Sequence, residues 1–302
     1  MQQKSKNNYK SYIGAMRLNR WPRSFSIIVG VIAAIYTTGF ANKDLLTLLI
    51  NFLLAFVVTF LICITNYIIN EIVDAPTDAF HPIKHNRPVA SDLVSIKILL
   101  IIAVAFTFIA FLITFKFFSI KLAISLLSLL VMGLLYNINP IRLKDIIYID
   151  AISESANNPI RFLIGWYCIG VNTNPPISYL ICWWAIGSFL MFGKRLSEKR
   201  IFHKDEAKYY RKSLGIYTEA SLVKSMIISS ITFLIPFFYM IIIKLNIYTA
   251  ILLPLSAIYI VWILLEAWKG KYLIDEPEVI LKQAPFIILI IILLIFVVLS
   301  IL

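Results

Sequence analysis

The residues with the clearest chemical potential are polar side chains that end a long apolar segment at regular intervals. Asn66, Asn70, Asp74 and Asp78 recur every four residues, and Glu71 adds another carboxylate. On a helix, side chains four residues apart lie on the same face, so we expect these groups to converge. Carboxylate and amide oxygens suit Mg²⁺, which keeps several waters and completes its shell with substrate phosphates. The spacing therefore predicts a magnesium site at Asn70, Glu71, Asp74 and Asp78.

A simpler alternative gives these acids a structural role. Lys84 and Arg87 follow in a polar, proline-broken loop, and they could neutralise the carboxylates at the helix end. Acidic groups in or beside membrane segments are costly and usually functional, so we prefer the metal-binding interpretation.

A second group of polar residues interrupts a later apolar segment at helical spacing. Its members are Asp150, Glu154, Asn157, Asn158 and Arg161. Spacings of three and four residues predict one polar stripe on a single helix, kinked by Pro159. We predict that the stripe lines a cavity, because a structural stripe several turns deep in a membrane would be costly. The alternative is internal neutralisation, in which Asp150 or Glu154 pairs with Arg161.

A third group is cationic and follows another apolar run. Lys194 and Arg195 begin a basic segment that continues to Lys212. Arginine binds phosphate oxygens as a bidentate fork, and lysine binds them as a point charge. We predict that Lys194 and Arg195, which are nearest the membrane, bind phosphate, whereas membrane topology accounts for much of the remaining charge.

Membrane-spanning helices must position these groups. The chain has 302 residues, of which 60% are hydrophobic and 15% charged, whereas soluble domains are about 45–50% apolar and about 25% charged. The predicted fold class is all-α, a polytopic membrane protein. Apolar runs long enough for a hydrocarbon core of roughly 30 Å predict about nine helices. They cover 24–41, 45–69, 97–115, 118–136, 146–171, 177–193, 223–243, 246–267 and 283–302.

The distribution of basic residues predicts the topology. With the N-terminus inside, the outer connections carry only Lys43, Lys116, Lys121 and Lys244. The positive-inside rule therefore predicts a cytoplasmic N-terminus in a multi-pass protein of the cytoplasmic (inner) membrane, with residues 1–20 as a polar cytoplasmic segment. We interpret the net charge of +12 as contact with anionic lipids and not with nucleic acid, because the basic residues are dispersed among short loops.

The acidic motif resembles that of the UbiA superfamily of intramembrane transferases. The family pattern Asn-Asp-x-x-Asp-x-x-x-Asp matches Asn70, Glu71, Asp74 and Asp78, and an Arg87-Pro88 step follows it. Glu71 replaces the usual aspartate. Pro76 lies between the two matched aspartates, so we expect Asp78 to lie on a loop.

A second region supports the same resemblance. The stretch with Tyr136, Arg142 and Lys144 resembles the family's Tyr-Ser-x-x-x-x-x-Lys region. The resemblance covers essentially the whole chain, as a single domain over 1–302. It implies a helical bundle around a central cavity that opens to the cytoplasm and, laterally, to lipid.

The loop after the sixth helix departs from the typical family pattern. Aromatic prenyltransferases of the superfamily carry a second Asp-x-x-x-Asp there, whereas this chain has Gly-Lys-Arg-Leu-Ser-Glu at 193–198. That segment is similar to the branch that makes polyprenyl-phosphoryl-phosphoribose, and so is Arg-Lys-Ser-Leu-Gly-Ile-Tyr-Thr at 211–218. A transferase with two phosphorylated substrates needs an acidic metal site for the diphosphate and a cationic site for the acceptor phosphate.

The resemblance implies Mg²⁺-dependent transfer of phosphoribose from phosphoribosyl diphosphate to a polyprenyl phosphate. The catalytic residues predicted on this basis are Asn70, Asp74, Asp78, Lys194 and Arg195. The residues predicted to bind substrate phosphates are Lys84, Arg87, Tyr136, Arg142, Lys144, Arg161 and Glu198. The residues predicted to line the cavity are Asn66, Asp150, Glu154, Asn157 and Asn158.

Two other functions stay open at this point. A prenyltransferase would move a polyprenyl group from its diphosphate to an aromatic or quinone-precursor acceptor, with Glu154, Glu198, Asp205 or Glu206 in place of the second acid pair. A transporter or flippase would also need a polar path through a helical bundle. The expected partners are a polyprenyl lipid, a diphosphate-containing substrate and membrane lipids, and a homo-oligomer is possible.

Overall fold

The computed structural model describes residues 8–38, 44–79, 84–201, 211–243 and 247–269, together with residues 288, 291 and 292. All regular elements in these ranges are helices, which confirms the predicted all-α fold class. Most of the predicted helix 283–302 lies outside the described residues, as do Asp205 and Glu206.

The chain divides into two compact units. The first comprises Met1–Leu143 and Asn157–Pro175, and the second comprises Lys144–Ala156 and Pro176–Leu302. The first unit contains α1 (Tyr9–Met16), α2 (Trp21–Phe25), α3 (Ile28–Thr38), α4 (Leu45–Asp78), α5 (Ile96–Phe117), α6 (Ile120–Asn137) and α8 (Asn157–Cys168). The second contains α7 (Ile149–Ser155), α9 (Ile177–Ile201), α10 (Lys212–Ile216), α11 (Glu219–Ile243) and α12 (Ile247–Lys269).

Several of these helices are long and apolar enough to cross a membrane. Five such segments are Leu45–Asp78, Ile96–Phe117, Ile120–Asn137, Ile177–Arg200 and Glu219–Pro236. A helix satisfies its own backbone hydrogen bonds, whereas lipid tails offer the backbone no hydrogen-bond partners. On α5, Val104, Phe108 and Phe115 are 69%, 63% and 64% exposed, so this helix presents an apolar face that suits lipid. The protein is therefore a multi-pass membrane protein.

In the first unit, α4 packs against α5, α6 and α8. Ile64 and Ile68 on α4 are buried in a cluster with Leu99 and Ala103 on α5. Between α3 and α8 the backbones approach closely, because a side-chain carbon at Gly30 would overlap the Phe162 carbonyl group. Glycine is required at this contact because any larger residue would push the helices apart.

In the second unit, α9 packs along α11. Phe189, Phe192 and Leu196 of α9 are buried with Leu222 and Met226 of α11. The predicted helix ends near residue 193, whereas α9 continues to Ile201. The Gly-Lys-Arg-Leu-Ser-Glu segment therefore lies on α9, and packing against α11 holds it in place.

The predicted fifth helix is in fact two helices. α7 ends at Ser155, and α8 begins at Asn157 in the other unit. Pro159 lies in the first turn of α8, where its missing N–H would have had no intrahelical partner. Pro159 therefore suits the start of α8, three residues after the helix is interrupted at Ala156. The prediction of one polar stripe from Asp150 to Arg161 is wrong, because its residues divide between two helices of different units.

The acidic motif lies entirely on α4. Pro76 stands inside the helix, and Asp78 is its last residue, so the prediction that Asp78 lies on a loop is wrong. The final turn still closes, because the Ala79 amide donates to the Ala75 carbonyl at 3.1 Å. The 34 residues of α4 extend about 51 Å, which exceeds a hydrocarbon core of roughly 30 Å and allows the acidic end to lie outside it.

The N-terminal segment is more than a polar extension. Among residues 8–20, α1 packs on α4 and buries Ala15 completely. The Tyr12 hydroxyl accepts a hydrogen bond of 3.0 Å from the Ser95 amide at the start of α5. These contacts hold the segment beside the acidic end of α4.

Candidate active site

Each carboxylate at the end of α4 forms an ion pair with a different arginine. The pairs and their N–O distances are Arg17–Glu71 at 2.6 Å, Arg142–Asp74 at 3.4 Å and Arg87–Asp78 at 2.5 Å. The arginines come from the N-terminal segment, the loop after α6 and the loop after α4. The protein's own cations therefore neutralise the acidic face, and the Arg87 pairing considered from the sequence is present.

Arg17 is a site residue that sequence reasoning missed. It ends α1 in the left-handed conformation, with φ of 51°, and this turn directs its guanidinium to Glu71, which is 2% exposed. Burial lowers the pKa of Arg17, the nearby Arg87 lowers it further, and Glu71 opposes the shift. Its sequence position offered no signal, because it was one of several basic residues before the first apolar run.

Asn70 and Asp74 are in contact, as their spacing predicted. The Asn70 amide nitrogen donates to Asp74 Oδ2 at 2.9 Å and to Asn137 Oδ1 at 2.7 Å. Asn137, at the end of α6, in turn donates to the Gly133 carbonyl at 2.9 Å. Because these bonds use the nitrogen of Asn70, its amide oxygen is left for another ligand.

Asn66 lies one turn earlier on α4. Its nitrogen donates to the Leu129 carbonyl at 2.9 Å, whereas its oxygen is buried with no hydrogen-bond partner in the described chain. A side-chain carbon at Gly133 would overlap the Asn66 amide group. Gly133 therefore provides the space that Asn66 occupies.

The donor atoms of this face fit a hard divalent cation. In the described parts of the chain, Oε1 of Glu71 is buried without a hydrogen-bond partner, and Asp74 is partly exposed. Among the described residues, no group of three or more His, Cys, Asp or Glu side chains could hold a metal ion alone. A cation here would take one or two carboxylates and the amide oxygen of Asn70, and would complete its shell from water or substrate, as Mg²⁺ commonly does.

In the second unit, a fully buried arginine joins three carboxylates. Arg195 donates from Nε to Asp150, from Nη2 to Glu154 and from Nη1 to Glu198, each at 2.8 Å. Arg195 and Asp150 are both 0% exposed. Because the guanidinium is fully buried and each of its three nitrogens already binds a carboxylate, a structural role for Arg195 is favoured over a direct contact with phosphate. Arg195, and not Arg161, neutralises Asp150 and Glu154.

The two segments that resemble the phosphoribose branch meet at Asp150. The Tyr217 hydroxyl donates to Asp150 Oδ1 at 2.5 Å, and the Ser213 hydroxyl lies 3.1 Å from Oδ2. Burial and the negative charge of Asp150 raise the pKa of Tyr217, so it stays a neutral donor. Sequence reasoning matched both segments but did not predict that they share one buried carboxylate.

The remaining predicted residues divide between the two units. In the first unit, Lys84, Tyr136, Asn157, Asn158 and Arg161 are half-buried. In the second unit, Lys144 is buried, and Lys194 is half-buried on α9. The predicted grouping of Asp150 and Glu154 with Asn157, Asn158 and Arg161 is therefore replaced by two separate clusters.

Comparison with known proteins identifies the family. The model of the UbiA prenyltransferase family matches residues 18–273. The match covers most of the chain, and the protein belongs to the UbiA prenyltransferase family. The comparison with curated protein sequences found no match.

Solved structures share the fold over nearly the whole chain. A UbiA homolog from Archaeoglobus fulgidus bound to DMAPP and Mg²⁺ has 18% identity and a TM-score of 0.70, covering 96% of this chain and 99% of its own. A structure from work on digeranylgeranylglyceryl phosphate synthase in membranes has 18% identity and a TM-score of 0.66, covering 97% and 98%. The apo UbiA homolog from Aeropyrum pernix K1 has 12% identity and a TM-score of 0.64, covering 93% and 98%.

Proposed function

We propose that this protein is a Mg²⁺-dependent membrane transferase that moves phosphoribose from phosphoribosyl diphosphate to a polyprenyl phosphate. The bond between ribose C1 and the diphosphate breaks, and an oxygen of the acceptor phosphate forms the new bond to C1. Inorganic diphosphate leaves with the electron pair. Membership of the UbiA family supports transfer chemistry over transport.

The observation that carries this proposal is the pairing of Arg195 with Asp150, Glu154 and Glu198. All three acids of this cluster bind one buried guanidinium, whereas Glu71 Oε1 on α4 has no hydrogen-bond partner among the described residues. Within the described chain, the face at the end of α4 is therefore the acidic cluster better suited to a metal. One metal–diphosphate site fits a donor with a single diphosphate, and the second substrate then requires cationic groups.

The oxygens of Asn70, Asp74 and Asp78, with Glu71, would hold the metal. When bound, Mg²⁺ stabilises the charge that develops on the leaving diphosphate. The Archaeoglobus fulgidus relative, whose fold this chain shares, was solved with a diphosphate ester and Mg²⁺, which supports a metal–diphosphate site.

The arginines around the acidic face provide the remaining positive charge. Arg17, Arg87 and Arg142 pair with carboxylates that a metal would also attract. With these carboxylates held by the metal, the three guanidinium groups would be available as donors, and arginine binds phosphate oxygens bidentately. The three side chains would thus exchange protein carboxylates for diphosphate oxygens when substrate enters.

The acceptor needs little activation. A phosphate monoester is already anionic at neutral pH, so its attack on C1 requires no strongly tuned general base. We propose that Lys84 and Tyr136, both in the first unit, orient phosphate oxygens. Lys144 and Lys194, in the second unit, stay predicted phosphate-binding residues.

Prenyl transfer to an aromatic acceptor is the second candidate. Its specific support is that homologs with this fold were solved with DMAPP and with GPP, which are prenyl diphosphates. This reaction would use the same face of α4 for its diphosphate, so Asp74 is required in both cases.

Diphosphate release separates the two candidates. Purified protein in lipid is supplied with phosphoribosyl diphosphate and polyprenyl phosphate, or with polyprenyl diphosphate and 4-hydroxybenzoate, and inorganic diphosphate is measured. We expect acceptor-dependent release from the first pair only, lost with EDTA and in Asp74→Asn. Release from the second pair only would contradict the proposal and support prenyl transfer.

A further inference from the structure

A second polar cluster in the first unit lies apart from the acidic face. Nη2 of Arg161, on α8, lies 3.7 Å from Sγ of Cys63 on α4. The Nε group of Arg161, the Asn66 amide oxygen and the Tyr67 hydroxyl are all buried, and none has a hydrogen-bond partner among the described residues. Asn66 and Tyr67 follow Cys63 by three and four residues, so all three lie on one side of α4. The cluster thus combines unpartnered donors with an unpartnered acceptor.

Arg161 is the charged member of this cluster. The Cys63 thiol is its hydrogen-bond partner, and none of the ion pairs among the described residues includes it. A guanidinium cannot lose its charge in a protein, and removing a charge from water without a counter-ion is costly. Among the described residues, the half-buried Arg161 therefore has no anionic partner.

The surroundings of Tyr67 add further positive charge. The guanidinium carbon of Arg20 lies 5.6 Å from the centre of the Tyr67 ring. Arg23 and Arg161 also act electrostatically on Tyr67. An anion that reached the Tyr67 hydroxyl would thus be attracted by more than one cation.

The position of the cluster along α4 relates it to the acidic face. Cys63 precedes Asn70 by seven residues, and Tyr67 precedes Asp74 by seven. Seven residues make about two helical turns and about 10 Å, so both groups lie on the same side of α4. Two anionic ends of one ligand would fit this separation, with a diphosphate at the acidic face and another anion near Arg161.

We propose that Arg161 and Tyr67 form a second anion site, which binds a phosphate monoester, and this inference rests on the proposed phosphoribosyl transfer. The Arg161 and Tyr67 donors would bind phosphate oxygens. The Asn66 oxygen cannot bind phosphate oxygens but can accept from a hydroxyl group, which favours the phosphate of the sugar over that of the polyprenyl chain. A phosphorylated pentose diphosphate carries anions at both ends, whereas a prenyl diphosphate would leave this site unused.

Equilibrium binding to the purified protein in lipid nanodiscs tests the site without turnover. The probes are ribose 5-phosphate and farnesyl phosphate, with Mg²⁺–diphosphate as a reference ligand for the acidic face. Loss of a charged donor predicts that Arg161→Gln weakens ribose 5-phosphate binding about ten- to a hundredfold, and Tyr67→Phe about fivefold. Binding of Mg²⁺–diphosphate should change by less than about twofold, which also verifies the fold.

Two further variants control for charge and for folding. Arg200→Gln removes an arginine whose partner Glu219 is exposed, and it should leave the affinities for all three probes unchanged. Arg161→Lys keeps the charge but not the fork, and should retain part of the ribose 5-phosphate affinity.

The outcomes distinguish the site from the reaction. A loss of farnesyl phosphate binding alone in Arg161→Gln would keep the phosphate site and assign it to the acceptor. Unchanged affinity for both phosphates, with Mg²⁺–diphosphate still bound, would overturn the proposal. If ribose 5-phosphate binding falls but no phosphoribosyl transfer occurs, the anion site stands and the proposed reaction does not.

Discussion

At the residue scale, the carboxylates of both polar clusters, one in each unit, have arginine partners within the protein. On α4, Glu71, Asp74 and Asp78 each have an arginine partner, and the Arg195 cluster combines a buried guanidinium with carboxylates. The difference lies in the carboxylate oxygens: Glu71 Oε1 on α4 has no hydrogen-bond partner among the described residues, whereas the fully buried Asp150 binds Arg195, Ser213 and Tyr217. We therefore assign substrate chemistry to the cluster on α4 and a structural role to the Arg195 cluster.

Removing Arg17 should destabilise the protein. Arg17→Gln leaves the Glu71 carboxylate buried without its ion-pair partner, and breaking a buried pair in this way costs roughly 3–5 kcal/mol. Thermal unfolding in detergent should show a lower Tm, and the double variant Arg17→Gln/Glu71→Gln should recover most of the loss. Arg200→Gln, at a more exposed pair, should cost at most about 1 kcal/mol. A Tm of Arg17→Gln equal to that of Arg200→Gln would contradict the structural role.

If Arg195 has a structural role, its substitution should lower stability and not only weaken phosphate binding. Arg195→Met leaves Asp150, Glu154 and Glu198 without a shared cation and should cost roughly 3–5 kcal/mol, measured as a fall in Tm without any substrate. The Tm of Arg195→Lys should lie between those of the wild type and Arg195→Met. A variant with normal Tm but a raised KM for polyprenyl phosphate would instead support direct phosphate binding.

The buried Tyr217 hydroxyl should make the stability of the protein depend on pH. Its pKa is raised from the ordinary value of 10.0 by burial and by Asp150, so the folded protein retains a proton that the unfolded chain releases. Stability from this group is therefore present below pH 10 and falls as the pH rises above it. Tyr217→Phe should lower Tm at pH 8 and should lose less further stability than wild type between pH 9 and 11. Parallel Tm–pH curves for both proteins would contradict the assignment.

At the element scale, close helix packing positions the clusters of the first unit. The α3–α8 contact requires Gly165, because a side-chain carbon there would overlap the Ile27 carbonyl group. α8 carries Arg161, and α4 carries its Cys63 contact. The separation of these helices therefore sets the geometry around Arg161.

Gly165→Ala tests this packing. The added carbon meets backbone, which cannot move independently, so we expect a destabilisation of about 1–3 kcal/mol, measured as a lower Tm. Gly14→Ala is a matched control, because its carbon would meet only the Pro88 side chain at 3.3 Å. In that helix alanine is favoured over glycine by roughly 0.5–1 kcal/mol. Equal Tm values for the two variants would contradict the packing argument.

Local patterns in the sequence predicted local structure, whereas contacts between residues distant in the sequence could not be predicted. The four-residue spacing correctly predicted that Asn70 and Asp74 meet on one helix. Pairing of Arg142 with Asp74 joins residues 68 positions apart, which no periodicity encodes. Pro159 was ambiguous, because the same residue suits a kink or a helix start.

At the scale of the whole molecule, the predicted site residues belong to two compact units. The first unit carries the acidic face and Arg161, and the second carries the Arg195 cluster and Lys194. The family match from residue 18 to 273 spans parts of both. The proposed reaction therefore depends on residues distributed over most of the chain.

The most direct test is to identify the lipid product under competition. Wild-type protein in liposomes with Mg²⁺ receives phosphoribosyl diphosphate, polyprenyl phosphate, polyprenyl diphosphate and 4-hydroxybenzoate together, with Asp74→Asn as the inactive control. If the proposed phosphoribosyl transfer occurs, mass spectrometry of the lipid phase finds polyprenyl phosphate extended by one phosphoribosyl group, in wild type alone. A prenylated 4-hydroxybenzoate, without the phosphoribosyl lipid, would contradict it.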